Sequence, residues 1–147
     1  MDPAALRARI DEQIRRHELI PAGGSILCLV SGGADSTCLW HALNELGFAV
    51  SALHVNHGLR GNESEDDARF CQDVFGAEVV RAPGSTEAEL RELRYSFATG
   101  RLRATGHTAS DQVETVLYRL VSSGRPGGIK WKREDGIVRP LLTVWRA

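Results

Sequence analysis

Ser25-Ile26-Leu27-Cys28-Leu29-Val30-Ser31-Gly32-Gly33-Ala34-Asp35-Ser36-Thr37-Cys38-Leu39-Trp40-His41-Ala42-Leu43 joins an apolar run, a six-residue loop and an amphipathic run without interruption. The run from Ser25 to Val30 reads as a strand buried on both faces, and Cys38, Leu39, Ala42 and Leu43 recur at helical spacing. Ser31 to Ser36 is then the junction between a strand and a helix N-terminus, where backbone N–H groups and the helix dipole favour an anion. Paired glycines remove the Cβ atoms that would hold a phosphate away, and Ser31 and Ser36 add hydroxyl donors. Asp35 would repel a bare phosphate, so it reads either as a partner of a bridging metal ion or as a helix cap. The plain alternative for the whole loop is an ordinary turn.

Working outward, the strand-then-helix pattern recurs. Pro3 to about Arg16 precedes it as a helix, with Leu6, Ile10 and Ile14 at intervals of four. The helix after the loop ends at Gly47. Phe48 to Val55 is a second strand, followed by the polar loop Asn56-His57-Gly58-Leu59-Arg60-Gly61. Ser64-Glu65-Asp66-Asp67 reads as a capping box that opens an acidic helix ending at Gly76. Ala77 to Val80 is a third strand, Thr86 to about Phe97 a helix, and Leu102 to Thr105 a fourth strand. A last helix runs through Val116, Leu117, Leu120 and Val121, and Ile129–Trp131 with Ile137–Arg139 reads as a β-hairpin. This alternation predicts an α/β fold: a doubly wound, mostly parallel sheet with helices on both faces and a C-terminal hairpin.

Composition narrows the class. The chain has 147 residues, 42% hydrophobic and 25% charged, which suits one globular domain. No apolar stretch reaches membrane-spanning length and the N-terminus does not read as a signal peptide, so the expected place is the cytoplasm, away from membranes. Cys28, Cys38 and Cys71 are an odd count without a C-x-x-C pair, which reads as buried thiols. Charge is uneven. Residues 62–92 hold nine acids against three arginines, a net of −6, and residues 119–147 hold seven basic residues against two acids, a net of +5. The basic end is either a solvated surface or an approach to phosphates.

A second group of polar residues is Gly106-His107-Thr108-Ala109-Ser110-Asp111-Gln112-Val113-Glu114. Asp111 and Glu114 are three apart at a helix start and share a face, and His107 lies in the turn before them, at the strand end where open α/β sheets keep ligands. Two carboxylates and an imidazole suit metal binding, recognition of an amine, or general-base work. Equally, Thr108-x-x-Asp111 is itself a capping box and Glu114 favours the helix dipole. Spacing leaves both readings standing.

The loop lacks the ending of a Walker P-loop and the spacing of a dinucleotide fold, and it resembles the S-G-G-x-D-S loop of the N-type ATP pyrophosphatases, the PP-loop family. With it, His54-Val55-Asn56-His57-Gly58-Leu59-Arg60, Arg91-Glu92-Leu93-Arg94-Tyr95, Ala104 to Thr115 and Arg139-Pro140-Leu141-Leu142 occur in the order seen in tRNA(Ile)-lysidine synthases. The resemblance implies an ATP-dependent ligase that adenylates carbon 2 of the wobble cytidine of tRNA(Ile) and joins lysine there. It implies ATP phosphates held by Ser31, Gly32, Gly33, Ala34, Asp35 and Ser36, with magnesium at Asp35 and adenosine near His54 and Asn56. It implies catalytic and lysine-handling roles for His107, Asp111 and Glu114 beside Asp35, and a phosphate contact for Arg94. Residues 1–147 would form the N-terminal PP-loop ATP-binding domain, incomplete at its C-terminus, with a homodimer or further C-terminal domains completing it. An ATP-binding remnant or subunit without its own catalysis, or another PP-loop tRNA-modifying enzyme, is the alternative. Two departures stand out: only Ala98-Thr99-Gly100-Arg101 separates Phe97 from Leu102, where the family has a longer helix and turn, and the family continues past the Arg-Pro-Leu-Leu segment into further helices.

Overall fold

The computed structural model describes residues 3–31, 33–58, 61–82, 87–98, 100–124 and 127–144, and of residues 87, 88, 91, 94 and 114 the backbone alone. Its elements are α1 (Pro3–Arg16), β1 (Ser25–Leu29), α2 (Ala34–Glu45), β2 (Ala49–Asn56), α3 (Asn62–Phe75), β3 (Glu78–Arg81), α4 (Glu87–Ser96), β4 (Arg103–Ala104), α5 (Ala109–Ser123) and β5 (Ile137–Val138). The five strands are parallel in the order β3-β2-β1-β4-β5. Connections run outward from β1 to β3, then cross back to β4, so the order reverses between β1 and β4. That reversal opens a crevice at the carboxyl ends of the central strands.

The alternation along β1 divides the core. Ile26, Cys28 and Val30 meet Ile10 and Ile14 of α1, Leu39 and Leu43 of α2, and Cys71 and Phe75 of α3. Leu27 joins Leu53, Val55 and Ala82 on the other face, where Leu93 and Phe97 pack against them. Burial pushes the Cys28 thiol up to about 12. All three cysteines are free; Cys28 and Cys71 are buried as their apolar settings predicted, and Cys38 is half-buried.

Two local expectations change. The acidic helix starts at Asn62, two residues before Ser64, because Gly61 takes a positive φ of 56° and serves as an N-cap with no side-chain hydrogen bond. Ser64 is therefore a buried residue inside the first turn and not the N-cap. The hairpin is short and displaced toward the turn: Lys132 bridges Val138 antiparallel, with the Arg133 N–H bonded to the Ile137 carbonyl and the Arg139 N–H to the Trp131 carbonyl, while the other edge of Ile137 and Val138 pairs in parallel with Arg103 and Ala104 as the fifth sheet strand. Among the described residues, no helix is long and apolar enough to cross a membrane.

Candidate active site

The junction after β1 folds around its two hydroxyls. Ser36 Oγ accepts from the Ser31 backbone N–H (3.1 Å), lies 3.3 Å from Ser31 Oγ, and donates to the Gly33 carbonyl (3.3 Å). Ser31 Oγ also accepts from the Gly33 N–H at 3.3 Å. Thr37 Oγ1 donates to the Gly33 carbonyl at 2.8 Å, which fixes the entry into α2. Gly33 is the extended N-cap, so the N–H groups of the first α2 turn point out of the helix with no intrahelical acceptor. Asp35 lies in that first turn and lines the crevice, but no side-chain cap bond forms at the N-cap. Gly32 lies outside the described residues.

Across the crevice, the turn after β4 comes into direct contact with this loop. A Cβ on Gly106 would lie 3.1 Å from the Asp35 carbonyl carbon and 3.1 Å from the Ser36 nitrogen. A side chain there would have to push that backbone back by a few tenths of an ångström, and the close approach of the bare glycine brings His107 and Asp111 to the same crevice as Ser31, Asp35 and Ser36. The expected capping box is present: Asp111 Oδ2 accepts from the Thr108 N–H (2.8 Å) and from Thr108 Oγ1 (3.2 Å). Asp111 thus caps α5 and lines the crevice together, so the two readings of its spacing are not exclusive. Thr105 Oγ1 lies 2.7 Å from His107 Nδ1 and orients that ring.

The third wall comes from β2 and α3. His54 Nδ1 donates to the Val30 carbonyl at 2.8 Å, which fixes the ring. His57 Nδ1 likewise donates to the Ala82 carbonyl at 2.7 Å. Asn56 lines the crevice, but its side chain holds the loop: Oδ1 accepts from the Gly58 N–H (2.8 Å) and Nδ2 donates to Glu65 (3.2 Å). The crevice has a volume of about 460 Å³. The side chains of Arg94, in α4, and Glu114, in α5, lie outside the described residues.

Sequence reasoning missed Gly106 as a site residue. Its signal was a glycine between a strand and a histidine-bearing turn, which does not reveal the backbone it must approach. Cys38 is the thiol nearest the loop, and burial followed by the Asp35 charge raises it above the usual thiol range. A thiol so perturbed is a poor thiolate nucleophile at neutral pH. Among the described residues, no three His, Cys, Asp or Glu side chains converge as a metal site. A magnesium ion bound by one carboxylate and substrate phosphates needs no such group, and Asp35 beside the phosphate cradle suits it.

A family model of the PP-loop domain matches residues 6–147. The chain belongs to the PP-loop family. It is 44% identical to the tRNA(Ile)-lysidine synthase of Solibacter usitatus over 88% of this chain and 34% of that relative. The tRNA(Ile)-lysidine synthases of Porphyromonas gingivalis and Dehalococcoides mccartyi are 38% and 32% identical, each over 97% of this chain. The chain thus spans about a third of the length of these curated relatives. In fold it is similar to the NH3-dependent NAD synthetase of Campylobacter jejuni, with a TM-score of 0.56 at 18% identity, covering 99% of this chain and 69% of that one. That likeness concerns the parallel sheet and its helices.

Proposed function

We propose that residues 1–147 are the N-terminal nucleotide-binding domain of a cytoplasmic ATP-dependent ligase that joins lysine to the wobble cytidine of tRNA(Ile). The observation that carries this reading is the Gly106 contact, which sets His107 and Asp111 across the crevice from the Ser31–Ser36 loop. The named relatives support the choice of substrate.

In this reading the Ser31, Ser36 and α2 N-terminal donors hold the phosphates of ATP, and the cytidine O2 attacks the α-phosphorus. Pyrophosphate leaves, and the adenylyl group now on O2 activates carbon 2. Asp35 would hold magnesium, which when bound neutralises phosphate charge. The adenosine lies toward His54 and the end of β2, beside Asn56. Lysine arrives as an ammonium ion, attracted by the Asp111 carboxylate and, through the resemblance, by Glu114. Its Nζ must lose a proton before attack, and His107, turned by Thr105, is the base within the group. Nζ then bonds to carbon 2 and AMP leaves with its electron pair, its charge met by Arg94.

The test is a reaction of the purified chain with ATP, magnesium, lysine and unmodified tRNA(Ile). Lysine- and tRNA-dependent release of AMP and pyrophosphate, with lysidine in the tRNA, is expected, and Asp35→Ala should abolish it. No turnover in the unaltered chain overturns the reading of a self-sufficient enzyme. A second reading, an ATP-binding part of a larger assembly, is favoured by the one-third span of the relatives. It requires ATP binding that is sensitive to Asp35→Ala without tRNA binding. The raised thiols argue against a third reading, a PP-loop enzyme that transfers sulfur through its own cysteines.

A further inference from the structure

We propose that the segment from Gly127 to Lys132 is an arm that grips the phosphates of an RNA strand beside the reaction end of the crevice. This rests on the RNA-substrate reading above. The segment runs on from a glycine-rich stretch and has no regular structure before the Lys132–Val138 bridge, yet three side chains donate to three successive carbonyls. Arg119 Nη1 bonds Gly128 O (2.9 Å), Gln112 Nε2 bonds Ile129 O (3.0 Å) and Arg139 Nη1 bonds Lys130 O (2.7 Å). Gln112 Oε1 also accepts from the Ile129 N–H, so its carboxamide clasps that residue from both sides. Gln112 is the neighbour of Asp111, so the arm is anchored one residue from the crevice wall.

The fit is close. A Cβ on Gly128 would lie 2.6 Å from Gln112 Oε1. At the far end, Trp131 stacks on His17 with ring centroids 4.1 Å apart. Exposure alternates along the arm: Trp131 turns toward the body while Lys130 and Lys132 on either side are exposed. The nearby acid Asp135 pairs with Arg133 at 3.3 Å and faces the buried Arg103 at 3.8 Å. Among the described residues Lys130 and Lys132 are in no ion pair, and two uncompensated cations on an anchored backbone fit a polyanion. The crevice itself is lined by Asp35, Asp67 and Asp111, so the phosphates of a strand are drawn to the lysines outside it. A charge run that served only solubility would need no such anchoring.

The test is a titration of the full chain with unmodified tRNA(Ile) by fluorescence anisotropy between about 50 and 200 mM salt. The K130A/K132A chain should bind roughly tenfold more weakly, and its log Kd against log salt slope should fall by about 1.4, near 0.7 per lost single-strand phosphate contact. Gly128→Ala keeps every charge but unseats the arm, and should weaken RNA binding too. K130R/K132R should bind as the unaltered chain does, and ATP affinity should be unchanged in all three. Unaltered slope and affinity in K130A/K132A would overturn the arm while leaving the RNA reading intact. An unaltered chain that binds ATP but no RNA would remove that reading, and the arm with it. Binding of polyglutamate as tight as that of tRNA would also overturn it.

Discussion

On the face of the sheet that carries α1, α2 and α3, Ile10, Ile14, Leu39 and Leu43 are all but inaccessible to solvent. On the face that carries α4, four buried residues form the core, and on α5 Leu117 and Val121 stand 56% and 86% exposed. β1 supplies apolar side chains to both faces with the same period of two, so the strands do not cause the difference. The helices do. α2 and α3, of 12 and 14 residues, bury their inner faces, whereas α4 has ten residues and is followed by a turn that reaches β4 within seven, and α5, although it has 15, leaves Leu117 and Val121 outside the packing. A short crossover covers less sheet.

The short crossover is held by a charge where the other face uses hydrocarbon. Arg103, at 0% exposure, points its guanidinium at the end of α4 and donates to the Tyr95 and Phe97 carbonyls, the latter at 3.1 Å. It also bonds the Asp135 carbonyl before β5. Carbonyls at a helix end have no intrahelical donor, so one side chain satisfies the end of α4 and ties it to the β4–β5 edge. Burial lowers the Arg103 pKa, while the Asp135 charge raises it. Arg133 sits over the Tyr95 ring, 4.8 Å from its centroid, and closes the same corner.

The inequality of the two faces can be broken by substitution. Leu43→Ala, in the thick core, should cost about 2–5 kcal/mol in urea unfolding, and Leu117→Ala on α5 should change stability by no more than about 0.5 kcal/mol. Equal losses would mean that α5 is packed as firmly as α2. Arg103→Met should cost about 1–3 kcal/mol by leaving buried carbonyls without a donor, and amide exchange should quicken at the end of α4 before it does in α2. If the whole chain loosened evenly, the corner would not be a local fastening.

The smallest effect belongs to the rim of the thick face, where Arg81 of β3 pairs with Glu65 of α3. The Arg81 hydrogen bond, reinforced by its charge and by Asn56, holds the Glu65 carboxyl down at about 2 from 4.5. A carboxyl depressed on folding contributes above its unfolded value, so the contribution is full above about pH 4.5 and fades as pH falls toward 2. The melting difference between the unaltered chain and Arg81→Met should therefore be slight at pH 7 and vanish near pH 2. A difference that grew on acidification would contradict the pairing.

Much of the site was legible because its signals are local. A buried strand, two glycines and a helix start announce the loop from Ser31 to Ser36, and Thr108-x-x-Asp111 announces its own cap. Less was legible where a residue answers to a distant partner. The start of α3 moved because the Gly61 backbone conformation outweighed a plausible Ser64 cap. The hairpin was legible but not the second role of its return strand, where Ile137 and Val138 also pair in parallel with β4 from more than thirty residues away. Asn56, which lines the crevice where the sequence put it, also gives its amide to Gly58 and Glu65, and the Glu65 contact was not legible.

By itself the sequence determined the succession of strands and helices and the strand–loop–helix junction from Ser31 to Ser36, since period, glycine and capping chemistry act within a few residues. Only the tertiary structure decided which strands adjoin. With β4 set against β1, Gly106 presses on the α2 N-terminus, Gln112 clasps a loop 17 residues away, and Arg103 lies buried under a short helix. Those contacts depend on register and distance between elements far apart in the chain, and no local pattern carries that information.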